Sequence, residues 1–184
     1  MNNLNVIKYS GHFAFIKPFT AVRDSLTHSQ QFLTPSMIEG IRQHLEVKSI
    51  LRHKLSAIGI TRQQECIQAI TKKIKREKGV YKANTGIITL GLLIEPWLYL
   101  AFDNTDCAEI AFQKHVCLSR NEYVLLPDEE YGIKNMTTDE FDSIQGTELL
   151  FKSSPTSLIV GYNRFDNYRP MYGQISIRNG FIRE

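Results

Sequence analysis

The order of apolar and polar positions divides the chain into a short series of elements. Leu4 to Tyr9 is nearly continuous in apolar residues and reads as a first strand. A turn at Gly11 follows, then Phe13, Phe15 and Phe19, with Pro18 interrupting. Met37, Ile38, Ile41 and Leu45 recur at the spacing of one helix face. That helix has a start signal in Leu33-Thr34-Pro35-Ser36: Thr34 suits the cap and Pro35 the first helical position. Ser36 with Glu39 offers an alternative capping box. Ser49 to Ile60 is strand-like. Gln63 to Lys78 is basic and amphipathic, with Ile67, Ile70 and Ile74 at helical spacing. Ile87 to Phe102 reads as a strand bent or broken near Pro96. Thr105 to Lys114 reads as a short helix carrying Ala108, Ile110, Ala111 and Phe112, and Tyr123 to Leu126 as another strand.

The sequence of elements is therefore strand, helix, strand, strand, helix, strand. This is the order of the split βαβ, or ferredoxin-like (RRM-like), α+β fold. On this reading residues 1–126 form the domain, with the basic stretch at about 61–85 inserted between its second and third strands. Residues 127–184 add an acidic loop with one helical turn and then strands at Glu148–Phe151, Ser157–Tyr162 and Met171–Ile177, as an extension of the same domain. Asn179-Gly180 ahead of Phe181 marks a tight turn. Such a fold does not name a function, but it hosts many single-strand RNA binders.

Charge sharpens the picture. From Arg42 to Lys82 there are eleven Lys/Arg against three acids, a balance of +8. From Asp103 to Leu150 there are three against eleven, a balance of −8. The formal net charge of +3 hides this separation. A concentrated basic segment points to a polyanion. The candidate phosphate contacts are Lys72, Lys73, Lys75, Arg76, Lys78 and Lys82. Tyr81 lies among them, placed either to stack on a base or to pack on the domain. Arg42, Lys48 and Arg52 follow the first helix and could face the same groove. Arg120 is a further candidate, or else a structural partner of Asp103 or Glu122.

Other classes lose support. The three cysteines, Cys66, Cys107 and Cys117, are far apart and lack a C-x-x-C pair, so neither a disulfide framework nor a metal site is expected. Reduced thiols fit a cytoplasmic protein. Met1 to Tyr9 lacks the basic and apolar regions of a secretory signal. The longest apolar stretch, Gly86 to Phe102, contains Glu95 and Pro96 and falls short of the roughly 20 residues that span a bilayer. No P-loop, G-x-G-x-x-G, H-E-x-x-H or G-x-S-x-G is present, so no cofactor is expected.

Local motifs carry a resemblance. Gly11-His12-Phe13-Ala14-Phe15-Ile16-Lys17-Pro18, followed by Thr34-Pro35-Ser36 and Gly40, resembles the start of the CRISPR-associated protein five family of the repeat-associated RNA-binding (RAMP) superfamily. Leu118-Ser119-Arg120-Asn121-Glu122 looks like that family's L-G-x-R-E segment, with Ser119 where glycine is usual. Ile159-Val160-Gly161-Tyr162 and Ile177-Arg178-Asn179-Gly180-Phe181-Ile182 resemble closing strands of its type I-C branch. The match is loose from Ser56 to Lys82.

The resemblance implies a non-catalytic subunit of an RNA-guided effector complex. Such a subunit binds the 5′ repeat-derived handle of the CRISPR RNA and caps a backbone of seventh-family subunits, with a large subunit or effector nuclease as a further partner and no membrane association. It implies that Lys17 and Arg23 contact the handle, and that the basic insertion is a thumb across the guide. The alternative it carries is a metal-independent endoribonuclease that processes precursor RNA. That branch cleaves with a tyrosine near the end of the first helix and a lysine–histidine pair in a later loop. Here the tyrosine's place falls to Glu46 or a neighbour, and the only Lys-His dipeptide, Lys114-His115, precedes the Leu118–Tyr123 motif, where the pair is not expected. Cleavage is therefore not expected, although His44, His53 and Lys54 are residue types that could supply it.

Overall fold

The computed structural model describes residues 3–18, 26–68, 75–77, 80–82, 85–163 and 166–183. In chain order the elements are β1 (Asn3–Ser10), β2 (Phe13–Ala14), β3 (Leu26–His28), α1 (Pro35–Leu45), β4 (Arg52–Ser56) and β5 (Gly59–Gln68). Then come β6 (Lys75–Glu77), β7 (Val80–Lys82), β8 (Thr85–Ile94), β9 (Trp97–Phe102), α2 (Thr105–Phe112), β10 (Val116–Cys117) and β11 (Val124–Pro127). The last are β12 (Ile133–Thr137), α3 (Thr138–Ser143), β13 (Gly146–Leu150), β14 (Leu158–Asn163) and β15 (Arg169–Arg178). The protein is α+β, mostly antiparallel sheet with three short helices among the described residues.

The main sheet runs β10-β11-β1-β9-β4-β13-β15-β14, and β12 also pairs with β1. β1 is buried on both faces, which is why its sequence reads as continuous rather than alternating. Ile7 and Tyr9 point to one side, where they join Leu98, Leu100, Phe102 and the buried faces of α1 and α2. Leu4 and Val6 point to the other, where Tyr99 and Ala101 close around Phe141 of α3. Gly11 ends β1 where the backbone passes close to β11. A Cβ there would lie 2.6 Å from the Val124 carbonyl oxygen, so only glycine fits without displacement.

The helices start where their caps dictate. Thr34 is extended and Pro35 opens α1, while Ile38, Ile41 and Leu45 face the core. The Ser36–Glu39 box does not form; Glu39 turns instead to Arg42 and Gln43. Asn104 caps α2 by accepting from the Cys107 N–H at 2.8 Å. Thr137 and Glu140 form a reciprocal capping box at α3.

The basic stretch differs from its sequence expectation. Residues 63–68 lie in β5, not in a helix, and residues 75–77 lie in β6. β5 pairs with β8 over ten positions, from Gly59 opposite Ile94 to Gln68 opposite Thr85. The physical reason is non-local. β8 (TGIITLGLLI) is rich in β-branched and long apolar residues, and the β5 backbone pairs along its edge, so a long-range strand pairing overrides the local helical period. β2 and β3 cover the other edge of β8, making a second sheet. Glu95, in the left-handed region at φ 44°, and Pro96 break the long apolar run, so β8 leaves for this second sheet while β9 stays in the main one.

Two cations, the buried Lys54 and the half-buried Arg52, tie α3 and β13 to β4. The Lys54 ammonium donates to the carbonyls of Phe141, Asp142 and Ile144 at 2.7, 2.8 and 2.7 Å, capping the C-terminal end of α3. Arg52 holds both oxygens of the buried Glu148 carboxylate and also reaches Asp142 at 2.7 Å. Arg183 ties the far end of the chain to the base of the β5–β8 hairpin. It is 3.5 Å from the Trp97 ring centroid and donates to Ser56 Oγ at 2.9 Å and to the Glu95 carbonyl at 2.6 Å.

Candidate nucleic-acid interface

A groove of about 910 Å³ opens between α1, the segment after β2 and the β10–β11 region. Phe15, Met37 and Ile41 form its apolar side, and Lys17, His44, His115 and Arg120 bring polar and basic groups to it. Each element places its residue for a local reason. α1 buries Ile38, Ile41 and Leu45, so Gly40 and His44 are left on its outer side. Gly40 has no atom within 4 Å of a would-be Cβ, which keeps the wall of the groove low. Ser119 takes φ 70°, and its Oγ accepts from the Lys17 N–H at 3.4 Å, fastening the two sides together.

The histidines meet here. His44 and His115 lie edge to face, with ring centroids 5.1 Å apart, and His44 Nε2 is 3.0 Å from the His115 carbonyl oxygen. Beside them Lys114 pairs with Glu46, whose carboxyl is held below its ordinary range chiefly by the hydrogen bond from that ammonium. The Lys114-His115 dipeptide therefore does reach the end of the first helix, where the sequence reading did not place it. The sequence separation of 71 from His44 to His115 is closed by packing of α1 on β10, a contact no local pattern announces.

The other predicted contacts are distributed. Lys17 and Lys48 are exposed. Arg120 lies 3.4 Å from Glu122, which is the structural alternative, and it also lines the groove. Arg42 makes a two-pronged pair with Glu39 and donates to the Val47 carbonyl, so it is held on α1 by an exposed bridge. Arg52 is on the opposite face of the sheet from the groove, with Glu148 and Asp142 occupying its donors. It is not available to phosphate in this arrangement. His53 and Lys54 are likewise buried in the fold, which removes both from contact with RNA. Lys75, Arg76, Tyr81 and Lys82 lie on β6 and β7, a small antiparallel pair with Arg76 opposite Tyr81. Arg23, Lys72, Lys73 and Lys78 lie outside the described residues. Arg62, exposed on β5 opposite Gly91, is a further cation on the hairpin that the sequence did not single out.

Among the described residues no cluster of three or more His, Cys, Asp or Glu is placed to hold a metal ion. No helix among them is long and apolar enough to cross a membrane.

No protein-family model and no curated protein matches the sequence. The fold does match solved structures. A chain described as "CRISPR RNA-guided surveillance complex" aligns with a TM-score of 0.55 at 9% identity, over 98% of this chain and 93% of that one.

Proposed function

We propose that this chain is an RNA-binding subunit of a CRISPR RNA-guided surveillance complex that holds the 5′ repeat-derived handle of the guide. The observation that carries the reading is the end-to-end likeness to a chain of such a complex, 98% of this protein against 93% of that one. The strand order β11-β1-β9-β4, with α1 and α2 on one face, supports a ferredoxin-like core at residues 1–126 and an extension at 127–184. The β5–β8 hairpin stands between the second and third strands of that core, where the thumb is expected, and the most basic part of the sequence falls there. The α1 groove, with Lys17 and Arg120 at its lip and an apolar wall, suits a strand of RNA whose phosphates meet cations while a base rests on carbon. Seventh-family backbone subunits and a large subunit are the protein partners this reading carries. Titration with labelled repeat RNA, a scrambled RNA and the matching DNA tests it. Repeat RNA should bind most tightly, indifferent to EDTA; equal binding of all three would defeat handle recognition.

One observation favours a second reading, that of a metal-independent endoribonuclease. Cleavage through the 2′-hydroxyl needs a base, an acid and a cation near the phosphate. His44 and His115 stand together in the groove with Lys17, Arg120 and Lys114 nearby. A single product from repeat RNA in EDTA, lost in both His44→Ala and His115→Ala, would establish that reading over binding alone.

A further inference from the structure

A second groove, on the other side of the β2 segment, has the opposite character. It measures about 1370 Å³ and runs between the base of the β5–β8 hairpin and the turn joining β11 to β12. Its floor is apolar, including Phe13, Trp97, Phe112 and Leu126. Phe13 is 49% exposed and Leu126 59%, so large carbon surfaces face water there. Its rim is acidic: Glu95, Glu122, Asp128, Glu129 and Glu130. Lys8 neutralises Asp128, and Arg120 lies near Glu122. Glu95, Glu129 and Glu130 are exposed and carry no ion pair among the described residues. The cations behind the floor, Lys8 and Arg183, lie against the Trp97 ring; Lys8 takes up Asp128 and Arg183 attracts Glu95, so the rim is least screened at Glu129 and Glu130.

These features select among ligands. Three solvent-facing carboxylates disfavour a nucleic-acid strand, because like charges across an interface cost affinity. The volume exceeds the 300–1,000 Å³ or so typical of small-molecule sites, and suits an extended segment. Exposed aromatic and aliphatic side chains beside one another mark a protein contact rather than a solvated face. We propose that this groove docks a basic, partly apolar segment of a partner protein. Its Lys or Arg side chains would lie over Glu95, Glu129 and Glu130, and its apolar side chains on Phe13, Phe112 and Leu126. The inference does not depend on the RNA reading, since it uses none of the groups of the α1 groove except Arg120's neighbour Glu122.

Trp97 is the one tryptophan of the chain and sits in the floor, so its emission reports occupancy directly. The probes are three ten-residue peptides added to the full chain: alternating Arg and Leu, alternating Glu and Leu, and alternating Arg and Ser. The Arg–Leu peptide should give a saturable change. Glu129→Lys/Glu130→Lys should weaken it by about tenfold, and Leu126→Ser should weaken it independently, as loss of rim charge and of floor contact predict. Leu126 is exposed, so that variant keeps the test open if charge reversal disturbs the fold. The proposal is overturned if no saturable change occurs, if the Glu–Leu peptide binds as well, if Arg–Ser matches Arg–Leu, or if neither variant alters binding.

Discussion

Arg52 and Lys17 have the same formal charge, and residue type alone makes both candidates for phosphate, yet they sit in opposite situations. Arg52 is locked between a carboxylate that is almost wholly buried and a second one at the end of α3. Lys17 is exposed at the lip of a groove and carries no ion pair among the described residues. The difference teaches that a cation's role is decided by whether folding has already supplied its anion. The acidic half of the sequence is partly consumed in this way: Asp128 by Lys8, Asp142 and Glu148 by Arg52. Lys17 at the lip of one groove and Glu129 and Glu130 on the rim of the other face solvent, and the two grooves differ in character accordingly.

The comparison can be broken first at Arg52. Arg52→Ala leaves Glu148 buried without its partner, and should destabilise the fold by about 3–5 kcal/mol, read as a shift of the urea transition. Arg52→Ala combined with Glu148→Leu should recover much of that loss, because no orphan charge remains. A loss under about 1 kcal/mol in the single variant would mean that the bridge is loose and Arg52 is free to bind elsewhere.

Acid offers the next largest effect. His53 is buried between β9 and β13 beside the Phe151 ring, and burial pushes its imidazole down to about 4 from the ordinary 6.5. The folded protein thus keeps His53 neutral where the unfolded chain takes up a proton. Stability from this group is complete above pH 6.5 and falls as pH drops toward 4, by roughly 3 kcal/mol over that window. Urea melts at pH 7 and pH 4.5 should show the loss, and His53→Leu should flatten it. An unchanged profile in His53→Leu would assign acid sensitivity to other groups.

Arg42 should give the smallest effect. Its pair with Glu39 is on the surface, and such bridges hold little stability in water. Arg42→Ala is expected to leave the urea midpoint where it is. A clear shift would indicate that the Val47 carbonyl contact, not the ion pair, fastens the end of α1.

Much of the core was legible from sequence, for reasons that are local. α1 announced itself through Thr34-Pro35 and the spacing of Ile38, Ile41 and Leu45, all of which the fold uses. The break near Pro96 and the reversal at Asn179-Gly180, both at positive φ, were written in residue types. The β5 segment was misread because Ile67, Ile70 and Ile74 mimic a helical period, and only the far edge of β8 decides otherwise. β12 was hidden inside an acidic loop, since its partner is β1, more than one hundred residues away. The site was less legible still. The meeting of His44 with His115, and the capture of Arg52 by Glu148, join residues from distant parts of the chain. No periodicity or spacing carries such pairings.

The central claim is that Lys17 and Arg120 at the lip of the α1 groove, not Arg52 and Lys54 on the other face of the sheet, meet RNA phosphates. Its most direct test is the salt dependence of repeat-RNA binding by the wild-type chain and by Lys17→Ala/Arg120→Ala. Each single-strand phosphate contact contributes a slope of roughly 0.7 in log K against log salt, so losing both should flatten the plot by about 1.4 and weaken binding at low salt. Parallel plots of equal affinity would contradict the account and remove this groove from the RNA path.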